Sequence, residues 1–549
     1  MAFIRLKVWL TILAVSGSAA AGPAFSCTVI AVGKKASADG SVIVSHTDTC
    51  NNSRIFVVPA RSFRKGELAP VYYGIQDPKL PLLQFGEVIG HIPQVERTYA
   101  YFHSGYPHLN EYQLAIGEST LSQREELQVE RSLGVNQIMT VEQAMAFALQ
   151  RCKTAREAVK LIGSLMETYG FLPSTGPESE GLAIADTREV WIMEIFSVGP
   201  LWEPGKGEPG AIWAAQRLPD DRVAVIPNWS IIKTIDPARP DEFMVSPNYL
   251  QAAVDRGWYD PKSGKPFIWQ EIYAPLPREW STGRFWLFYS RFAPTLAKWP
   301  ERKLMTFFQG QDAYHQFVEP LSLYPFSAKP ERKVSVQDIM AFQRSVFEGT
   351  IYDMTADKSW YVPGPEGRWV PSPLTTPFPT RDMRELLKLT YRRMIPRGNY
   401  GMIAQLRDWL PDPVGGIYWV YLDNVYVSPY VPIYAGVREI SPLYNTYDPD
   451  SFSEGSARWV YDFVENLLYL KWQEAVRDVR TVRDPYETAY FEKQAAIEAE
   501  AVALHRKDPA KAAAFLTEQA RRHMETLVKM YADLRVRLIT KYTNNKQGL

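Results

Sequence analysis

Three strand–turn–strand patterns do most to limit what this chain can fold into. In residues 27–48, CTVIAVG and SVIVSHTD alternate and are rich in β-branched side chains, and the turn sequence KKASADG separates them. Residues 181–197 and 212–228 repeat the pattern around the polar turns DTRE and LPDD. Alternating β-branched runs bounded by polar turn residues are typical of antiparallel hairpins. We therefore expect a sheet-rich domain whose first strand begins at Cys27.

Helical patterns lie between and after these hairpins. TVEQAMAFALQRC has Thr140 as a candidate N-cap, and TAREAVKLIGSLMETYG ends at Gly170, a typical residue after a helix. SVQDIMAFQRSVF predicts a further helix within an irregular, aromatic-rich segment of residues 258–379. Helices mixed among hairpins indicate an α+β domain, which we place over residues 27–453.

The composition changes at Glu454. Beyond this residue Pro and Gly become rare, while Ala, Glu, Lys and Arg follow a helical period that is broken near Asp508-Pro509. We expect residues 454–549 to form a helical extension packed on the main domain, and we assign it no catalytic residue.

The first 26 residues are typical of a secretory signal peptide. A basic start with Arg5 and Lys7 is followed by the apolar residues 8–15 and then by small residues before Cys27. The apolar stretch is too short to span a bilayer, and no later segment has ~20 uninterrupted apolar residues. We therefore expect an exported protein without stable membrane insertion, whose mature chain starts at Cys27.

Charge and motif content argue against several classes of function. Lys+Arg and Asp+Glu both total 61, so charge gives no reason to expect a nucleic-acid partner. The 7 histidines include no HExxH motif, and the chain has no P-loop or dinucleotide fingerprint. We expect neither a metal nor a cofactor. The aromatic residues, 13% of the chain, predict either a large core or a cleft lined with rings.

Cysteine usage leaves two arrangements open. An exported protein with Cys27, Cys50 and Cys152 has an odd number of thiols. The odd count indicates a spare thiol or an intermolecular bond. A Cys50–Cys152 disulfide would leave Cys27 as the spare thiol, although the sequence does not fix the separation of the cysteines.

A cysteine at the start of a mature chain can act as a nucleophile with its own base. The α-amine of such a residue has a pKa of about 7.7–8.0, low enough to accept the thiol proton near neutral pH. Two alternatives exist for Cys27. It could be a lipoprotein acylation site, for which the preceding Ala24-Phe25-Ser26 is a poor match, or a buried structural cysteine.

The segment CTVIAVGKKASADGSVIVSHTDTC resembles the opening of the bacterial secreted cysteine dipeptidases of peptidase family C69. These are N-terminal-nucleophile hydrolases related to penicillin V acylases and bile salt hydrolases. The segments LNEYQLAIGEST, AAQRLPDDRVAVIPN, PFSAKPERKVSVQDIM and FEGTIYDMT are similar to further segments of that family, in the same order. The resemblance covers about residues 27–444 and implies a four-layer αββα sandwich with the helical extension added.

The resemblance also implies roles for individual residues. Cys27 would be the nucleophile and, through its amine, the base. Asp48 would orient the amine or thiol of Cys27, and Asn228 would supply an oxyanion-hole donor. Arg284 would polarise the site or hold a carboxylate, a role for which Arg291 competes.

Two further positions each have two alternative roles. Glu118 would either recognise a substrate ammonium group or lie on the surface at the end of a strand. His46 occupies the position, two residues before Asp48, where many relatives carry Arg. A protonated His46 could take over that role near the substrate, or the role could have moved elsewhere.

We therefore expect a bacterial dipeptidase, located in the periplasm or outside the cell, that hydrolyses short peptides through a thioester on Cys27. An acylase that cleaves N-acyl amides and a non-enzymatic envelope binding protein are the alternatives. Whether signal peptidase or self-cleavage exposes Cys27, and whether the chain forms a homo-oligomer, is left open by the sequence.

Overall fold

The computed structural model describes most of the chain after the N-terminal segment. The described residues are 27–174, 176–274, 279–296, 302–306, 313–317, 324–350, 352–389, 395–396 and 398–543. The predicted signal peptide, residues 1–26, lies outside the described residues. Among the helices described here, none is both long and apolar enough to cross a membrane.

The strands are numbered in chain order. They are β1 (Val29–Val32), β2 (Val42–Asp48), β3 (Phe56–Val58), β4 (Arg61–Ser62), β5 (Leu68–Tyr73), β6 (Glu87–Pro93), β7 (Arg97–Thr98), β8 (Tyr101–His103), β9 (Pro107–Asn110), β10 (Ala115–Leu121), β11 (Ser179–Ala185), β12 (Val190–Phe196), β13 (Ile212–Leu218), β14 (Val223–Ile226), β15 (Phe243–Val245), β16 (Arg302–Thr306), β17 (Ala313–Phe317), β18 (Tyr361–Pro363), β19 (Trp369–Pro371), β20 (Tyr400–Leu406), β21 (Ile417–Leu422) and β22 (Val431–Tyr434).

The helices are numbered in the same way. They are α1 (Val141–Arg151), α2 (Ala155–Tyr169), α3 (Gln251–Asp255), α4 (Trp269–Tyr273), α5 (Glu279–Phe292), α6 (Val336–Gln343), α7 (Arg381–Leu387), α8 (Asp412–Gly415), α9 (Pro442–Asn445), α10 (Ala457–Leu468), α11 (Trp472–Lys507) and α12 (Pro509–Tyr542).

Two large antiparallel sheets form the centre of the molecule. The six-stranded sheet has the order β14-β1-β2-β20-β21-β22, and the eight-stranded sheet has the order β15-β13-β12-β11-β10-β9-β8-β3. Strands β10 and β11 contact β1 and β2, so the sheets pack against each other. Helix α2 packs on β11, β12 and β13, whereas α6, α10 and α12 pack on strands of the six-stranded sheet. The mixed α+β class predicted from the sequence is confirmed.

The alternation along β11 shows how the sequence builds these layers. Ala183 and Ala185 join the core that contains the six-stranded sheet. Their neighbours Leu182 and Ile184 join the core formed with α1 and α2. All four are fully buried, since successive side chains of a strand point to opposite faces and both faces of this sheet are covered.

Two of the three predicted hairpins are confirmed, and the third is wrong. Strands β1 and β2 pair with Ile30 opposite Ser45, and β11 pairs with β12. Residues 212–228 form two strands, but β13 pairs with β12 whereas β14 pairs with β1 in the other sheet. The LPDD turn therefore crosses between the sheets.

This crossing is fixed by Gly33. Its N–H donates to the carbonyl of Arg222 at 2.9 Å, and the N–H of Lys35 donates to the carbonyl of Asp220 at 2.8 Å. A Cβ atom at Gly33 would lie 2.4 Å from the Asp220 carbonyl oxygen, so only glycine fits. The connection closes against the β1–β2 turn, which a local strand–turn–strand pattern does not reveal.

The predicted helices are present. Helix α1 follows Thr140, α2 ends at Gly170 with φ of 72°, and Asp508 separates α11 from α12. The side chain of Asp508 accepts the N–H of Ala510 at 3.0 Å, and Pro509 takes the first helical position.

The C-terminal helices pack into the same core as the six-stranded sheet. Trp472, Tyr490 and Tyr531 are buried in it. A bidentate ion pair joins Arg344, after α6, to Glu487 of α11 with N–O distances of 2.6 and 2.7 Å. The helical extension expected from the sequence is therefore tied to the sheet by both apolar and ionic contacts.

Candidate active site

Cys27 lies directly before β1 and is buried, with 1% of its surface exposed. Pairing of β1 with β2 brings it to Asp48, the last residue of β2. The thiol donates to Oδ1 of Asp48 at an Sγ–O distance of 3.6 Å, and the N–H of Thr28 donates to Oγ1 of Thr47 at 3.0 Å. The hairpin thus places Cys27 beside a carboxyl group, as the sequence predicted.

The surroundings of Cys27 favour the neutral thiol. Burial raises the pKa of Cys27 well above its ordinary value, and the nearby carboxyls of Glu118, Asp48 and Glu180 raise it further. Burial also raises the pKa of Asp48. The sulfur therefore keeps its proton until a base removes it.

Asn228 reaches this place because β14 pairs with β1, with Val29 opposite Ile226. Its φ of 60° is left-handed, a conformation that asparagine tolerates better than most residues. Its backbone N–H donates to Oγ of Ser119 at 3.0 Å, and Nδ2 donates to the carbonyl of Thr120 at 2.9 Å. These contacts fix both the backbone and the side-chain amide.

Arg284 of α5 joins these parts and is fully buried. Nη1 donates to the carbonyl of Cys27 at 2.6 Å and to Oγ1 of Thr28 at 2.8 Å. Nη2 donates to the carbonyl of Pro227 at 2.9 Å and to Oδ1 of Asn228 at 3.0 Å. One planar guanidinium therefore sets the positions of the predicted nucleophile and of the predicted oxyanion donor.

Arg291, the alternative to Arg284, lies about two turns further along α5 and binds elsewhere. Its Nη1 donates to the carbonyl of Ala341 at 3.0 Å, and its nearest carboxylate is that of Glu348 at 4.0 Å. The structure thus separates two residues that the sequence left equivalent, and places Arg284 at Cys27.

His46 is fully buried, and the structure gives no support to a protonated side chain in contact with substrate. Its Nδ1 lies 2.8 Å from the backbone oxygen of Glu118, and its Nε2 lies 3.4 Å from the hydroxyl of Tyr400. Burial lowers its pKa well below the ordinary value, with a further contribution from His108. A neutral imidazole that joins β2 to β10 is what these surroundings favour.

Glu118 is fully buried, so the surface alternative for this residue is wrong. It lies on β10, next to the backbone of Thr120 that binds Asn228. Oγ1 of Thr120 donates to Oε1 of Glu118 at 3.2 Å. Burial raises the pKa of the Glu118 carboxyl, as do the charges of Asp48 and Glu142.

Three buried glutamates near this region were not predicted from the sequence. Glu180 is the second residue of the β11 sequence SEGLAIA, Glu194 lies within VWIMEIF of β12, and Glu142 lies in the first turn of α1. A lone carboxylate inside an apolar strand was the available signal, because acidic side chains are rarely buried without a specific reason.

Glu194 supports the loop that follows Asn228. Its two oxygens accept four hydrogen bonds, from Oγ of Ser230, from the N–H groups of Ile231 and Ile232, and from Nε1 of Trp269, at 2.5, 2.6, 3.1 and 2.8 Å. Burial raises its pKa. The carboxyl is fully satisfied and fixes the backbone directly after the predicted oxyanion donor.

All three cysteines lie in the described part of the chain and carry free thiols. Cys50 packs in the core of the six-stranded sheet, and its Sγ donates to the carbonyl of Asn52 at 3.1 Å. Cys152 follows α1 in the separate core on the other side of the eight-stranded sheet. The Cys50–Cys152 disulfide considered from the sequence is therefore not formed. Within the ranges that the structure describes, no group of three or more His, Cys, Asp or Glu is arranged to hold a metal ion.

Comparison with known proteins shows which family the chain is related to. The family model described as Peptidase family C69 matches residues 26–484, which include every site residue named above. A probable dipeptidase of Latilactobacillus sakei is 24% identical over 81% of this chain and 81% of its own. A probable dipeptidase of Salmonella dublin is 24% identical over 77% and 83%, and a dipeptidase of Bifidobacterium longum is 26% identical over 60% of each chain. Because the family match covers most of its length, this chain belongs to peptidase family C69.

Proposed function

We propose that this protein is an exported cysteine dipeptidase in which Cys27, as the first residue of the mature chain, attacks the peptide bond of a short peptide. The observation that carries the proposal is the bonded group around Cys27. Asp48 accepts from its thiol, and Arg284 binds its carbonyl together with the amide of Asn228. The relatives named dipeptidase supply the substrate class.

The reaction proceeds in two halves. The α-amine of Cys27 takes the thiol proton, and Sγ attacks the scissile carbonyl carbon to form a tetrahedral oxyanion. The oxyanion collapses to a thioester as the amine of the second residue leaves with the proton. Water then attacks the thioester, with the α-amine again as base, and the first residue leaves as a carboxylic acid while the thiol is restored.

The raised pKa of the buried thiol supports a base at this position. Because Cys27 is neutral in the site, attack requires removal of its proton at the moment of bond formation. The α-amine is attached to the same residue and titrates at about 7.7–8.0 when unperturbed. Asp48, whose Oδ1 accepts from the thiol, orients the pair.

Asn228 is suited to the oxyanion because its amide cannot turn. Oδ1 accepts from Arg284, so Nδ2 is the end that faces the carbonyl of Thr120. Of the two N–H bonds on Nδ2, one is used by Thr120, and we assign the second to the oxyanion.

The fold supports the same proposal. The sheet-on-sheet packing, with α1 and α2 on one side and α6, α10 and α12 on the other, is what an αββα N-terminal-nucleophile hydrolase would show. We assign export from the signal-peptide pattern of residues 1–26, whose removal would expose the α-amine.

The first test compares two cysteine substitutions. Cys27→Ala should lower kcat/KM for dipeptides by at least about a thousandfold, since both nucleophile and thioester are lost. Cys152→Ala is the matched control, because it also removes a buried thiol but lies in the other core. A Cys27→Ala enzyme that keeps wild-type turnover would rule out the proposal.

The second test is the intact mass and N-terminal sequence of the protein secreted by a bacterial host. A chain that starts at unmodified Cys27 has the free α-amine that the mechanism needs. A chain that keeps residues before Cys27, or that carries an acyl group on it, lacks the proposed base and contradicts the mechanism.

A further inference from the structure

Three buried glutamates lie near Thr120, the residue whose carbonyl binds the predicted oxyanion donor Asn228. Glu118 of β10, Glu180 of β11 and Glu142 of α1 have 0, 3 and 2% of their surface exposed. In the β10–β11 ladder Thr120 is opposite Glu180 and Leu182 is opposite Glu118. Side chains separated by two positions share a face of the sheet, so the Glu118 and Glu180 side chains are diagonal neighbours on one face.

These carboxyl groups have acceptor atoms that the surrounding protein does not satisfy. Oε2 of Glu118, Oε2 of Glu180 and Oε1 of Glu142 are buried and have no hydrogen-bond donor among the described residues. Oδ2 of Asp48 is also buried and has no hydrogen-bond donor among the described residues. None of the ion pairs between described residues includes any of the four. Burial of carboxyl oxygens without donors is costly, and a cationic donor in their midst would remove the cost.

The pKa shifts of these glutamates indicate that their carboxyl groups interact. Burial raises the pKa of Glu118 and of Glu180, and the carboxyl of each residue also shifts the pKa of the other. Burial raises the pKa of Glu142 to about 7. The titratable groups that interact with the Glu118 carboxyl include Cys27, Asp48, Tyr106, Glu142 and Glu180, all of them neutral or acidic. His46 contacts the Glu118 backbone, and burial lowers the pKa of His46 well below its ordinary value.

A chain of hydrogen bonds connects the cluster to the predicted site. Thr120 donates Oγ1 to Oε1 of Glu118, and its carbonyl accepts from Nδ2 of Asn228, so Thr120 links the carboxyl to the predicted oxyanion donor. Besides burial, the charges of Glu118 and Glu180 raise the pKa of Cys27.

The geometry of a dipeptide explains why a cation would be bound there. The α-amino nitrogen of its first residue is attached to the carbon next to the scissile carbonyl, about 2.5 Å from the carbonyl carbon. When Sγ of Cys27 approaches that carbon, the ammonium group must lie within a few ångströms of the sulfur. Acceptors for it are therefore needed near Cys27, and Glu118 and Glu180 are carboxyls that act on Cys27 and have unsatisfied acceptor atoms.

We propose that Glu118 and Glu180, supported by Glu142, bind the α-ammonium group of the substrate's first residue and make a free amino terminus a requirement for cleavage. The inference rests on the proposed dipeptidase function and specifies which end of the peptide is recognised. It separates this enzyme from an acylase, because an N-acyl group has no ammonium to offer.

The test compares substrates with and without the amine. Alanyl-leucine and propionyl-leucine share the scissile bond and differ in the α-amino group. Wild-type kcat/KM should be at least a hundredfold higher for alanyl-leucine. Glu118→Gln should lose most of this preference by slowing alanyl-leucine hydrolysis, while changing propionyl-leucine hydrolysis less than threefold.

The matched control is Glu167→Gln. Glu167 lies on α2, which packs on the same sheet, and accepts from Nε1 of Trp213 at 2.7 Å, a bond that glutamine keeps. This variant should retain the wild-type preference. Equal wild-type rates on both substrates, or equal losses on both in Glu118→Gln, would overturn the inference.

A binding experiment keeps the inference independent of turnover and of the glutamate variants. In the Cys27→Ala protein at pH 6, calorimetry in two buffers of different ionisation enthalpy counts protons exchanged on binding. Carboxyls with raised pKa hold protons at this pH and must release them to pair with an ammonium ion. Alanyl-leucine should release close to one proton, and propionyl-leucine none.

The outcomes distinguish the two levels of the argument. A Cys27→Ala protein that still hydrolyses dipeptides would rule out the proposed dipeptidase mechanism. An inactive one that binds propionyl-leucine as tightly as alanyl-leucine, or that releases equal numbers of protons with both, leaves that mechanism standing and overturns the ammonium site.

Discussion

The guanidinium of Arg284 holds the backbone carbonyl of Cys27 at 2.6 Å. The same group binds the side chain of Asn228 at 3.0 Å, so one fully buried cation holds both the predicted nucleophile and the predicted oxyanion donor. Lysine carries a single nitrogen on a flexible stem and cannot reproduce a planar fork that serves both partners.

Arg284→Lys should therefore lower kcat for dipeptides by about a hundredfold, the scale of losing an oxyanion donor. Steady-state kinetics would measure this loss. Arg291→Lys, on the same helix, should retain turnover within a factor of two, because Arg291 binds Ala341. Similar losses of kcat in both variants would mean that the loss comes from disturbing α5 and not from breaking the Arg284 contacts.

Glu194 should be needed for both stability and turnover. In Glu194→Gln one carboxylate oxygen becomes an NH₂ group. This group cannot accept a hydrogen bond, so a donor such as Nε1 of Trp269 loses its acceptor. A buried donor left without its acceptor costs about 1–3 kcal/mol. Chemical denaturation should show a loss of this size, and kcat should fall because the loop after Asn228 shifts. Wild-type stability in this variant would contradict the role of Glu194.

The ion pair between Arg344 and Glu487 should hold the C-terminal helices on the sheet. Arg344 lowers the pKa of Glu487, as expected for a paired buried carboxylate. Glu487→Ala leaves the Arg344 cation uncompensated and should reduce the free energy of unfolding by about 3 kcal/mol.

Glu518→Ala provides the control for the tail. Glu518 pairs with Arg521 and Arg522 on the exposed face of α12. Its removal should leave the denaturation midpoint unchanged. Equal effects of the two substitutions would show that the Arg344 contact adds nothing specific.

Stability should fall on acidification, in part through His103. Burial lowers the pKa of His103 to about 3, whereas an unfolded chain has a histidine pKa of about 6.5. Between these values the unfolded state binds a proton that the folded state does not, so stability is present above pH 6.5 and is lost as the pH falls. The contribution is up to about 1.4 kcal/mol per pH unit.

The measurement is the free energy of unfolding between pH 7 and pH 4.5 for wild type and His103→Phe. The ring of His103 packs against Phe56, Phe85 and Tyr101, so phenylalanine suits the site. On acidification the free energy of unfolding should fall less in the variant than in wild type. The difference between the two pH slopes should correspond to close to one proton taken up on unfolding. Buried carboxyls with raised pKa act in the opposite direction, and the difference between the two proteins removes them. Parallel curves would contradict the expectation.

Local patterns predicted the strands and helices well because each depends on neighbouring residues. The hairpin of residues 27–48 and the helix after Thr140 are of this kind. The partners of β13 and β14 were not predictable, since the choice of sheet depends on how residues 219–222 pack on Gly33. That contact joins segments far apart in sequence.

The residues of the candidate site also divide into those that the sequence pointed to and those that only the fold reveals. The resemblance to C69 dipeptidases pointed to Cys27, Asp48 and Asn228, and the structure brings them together around Arg284. Glu180 and Glu194 were missed because a carboxylate in a strand is ordinarily on a solvated face. Only the covering of both sheet faces, by the other sheet and by α1 and α2, makes these residues buried.

The order of strands in the six-stranded sheet ties activity to completion of the chain. β2 carries Asp48, and its partner on one side is β20, with Asp48 opposite Tyr400. A ribosome that has not yet passed this region has made the predicted nucleophile but not the strand that supports its carboxyl neighbour. Pairing between such distant segments is slow to form. A partly made chain therefore contains Cys27 before the strand that supports Asp48 exists, so the proposed site is complete only after residues 400–406 have been made and have paired with β2.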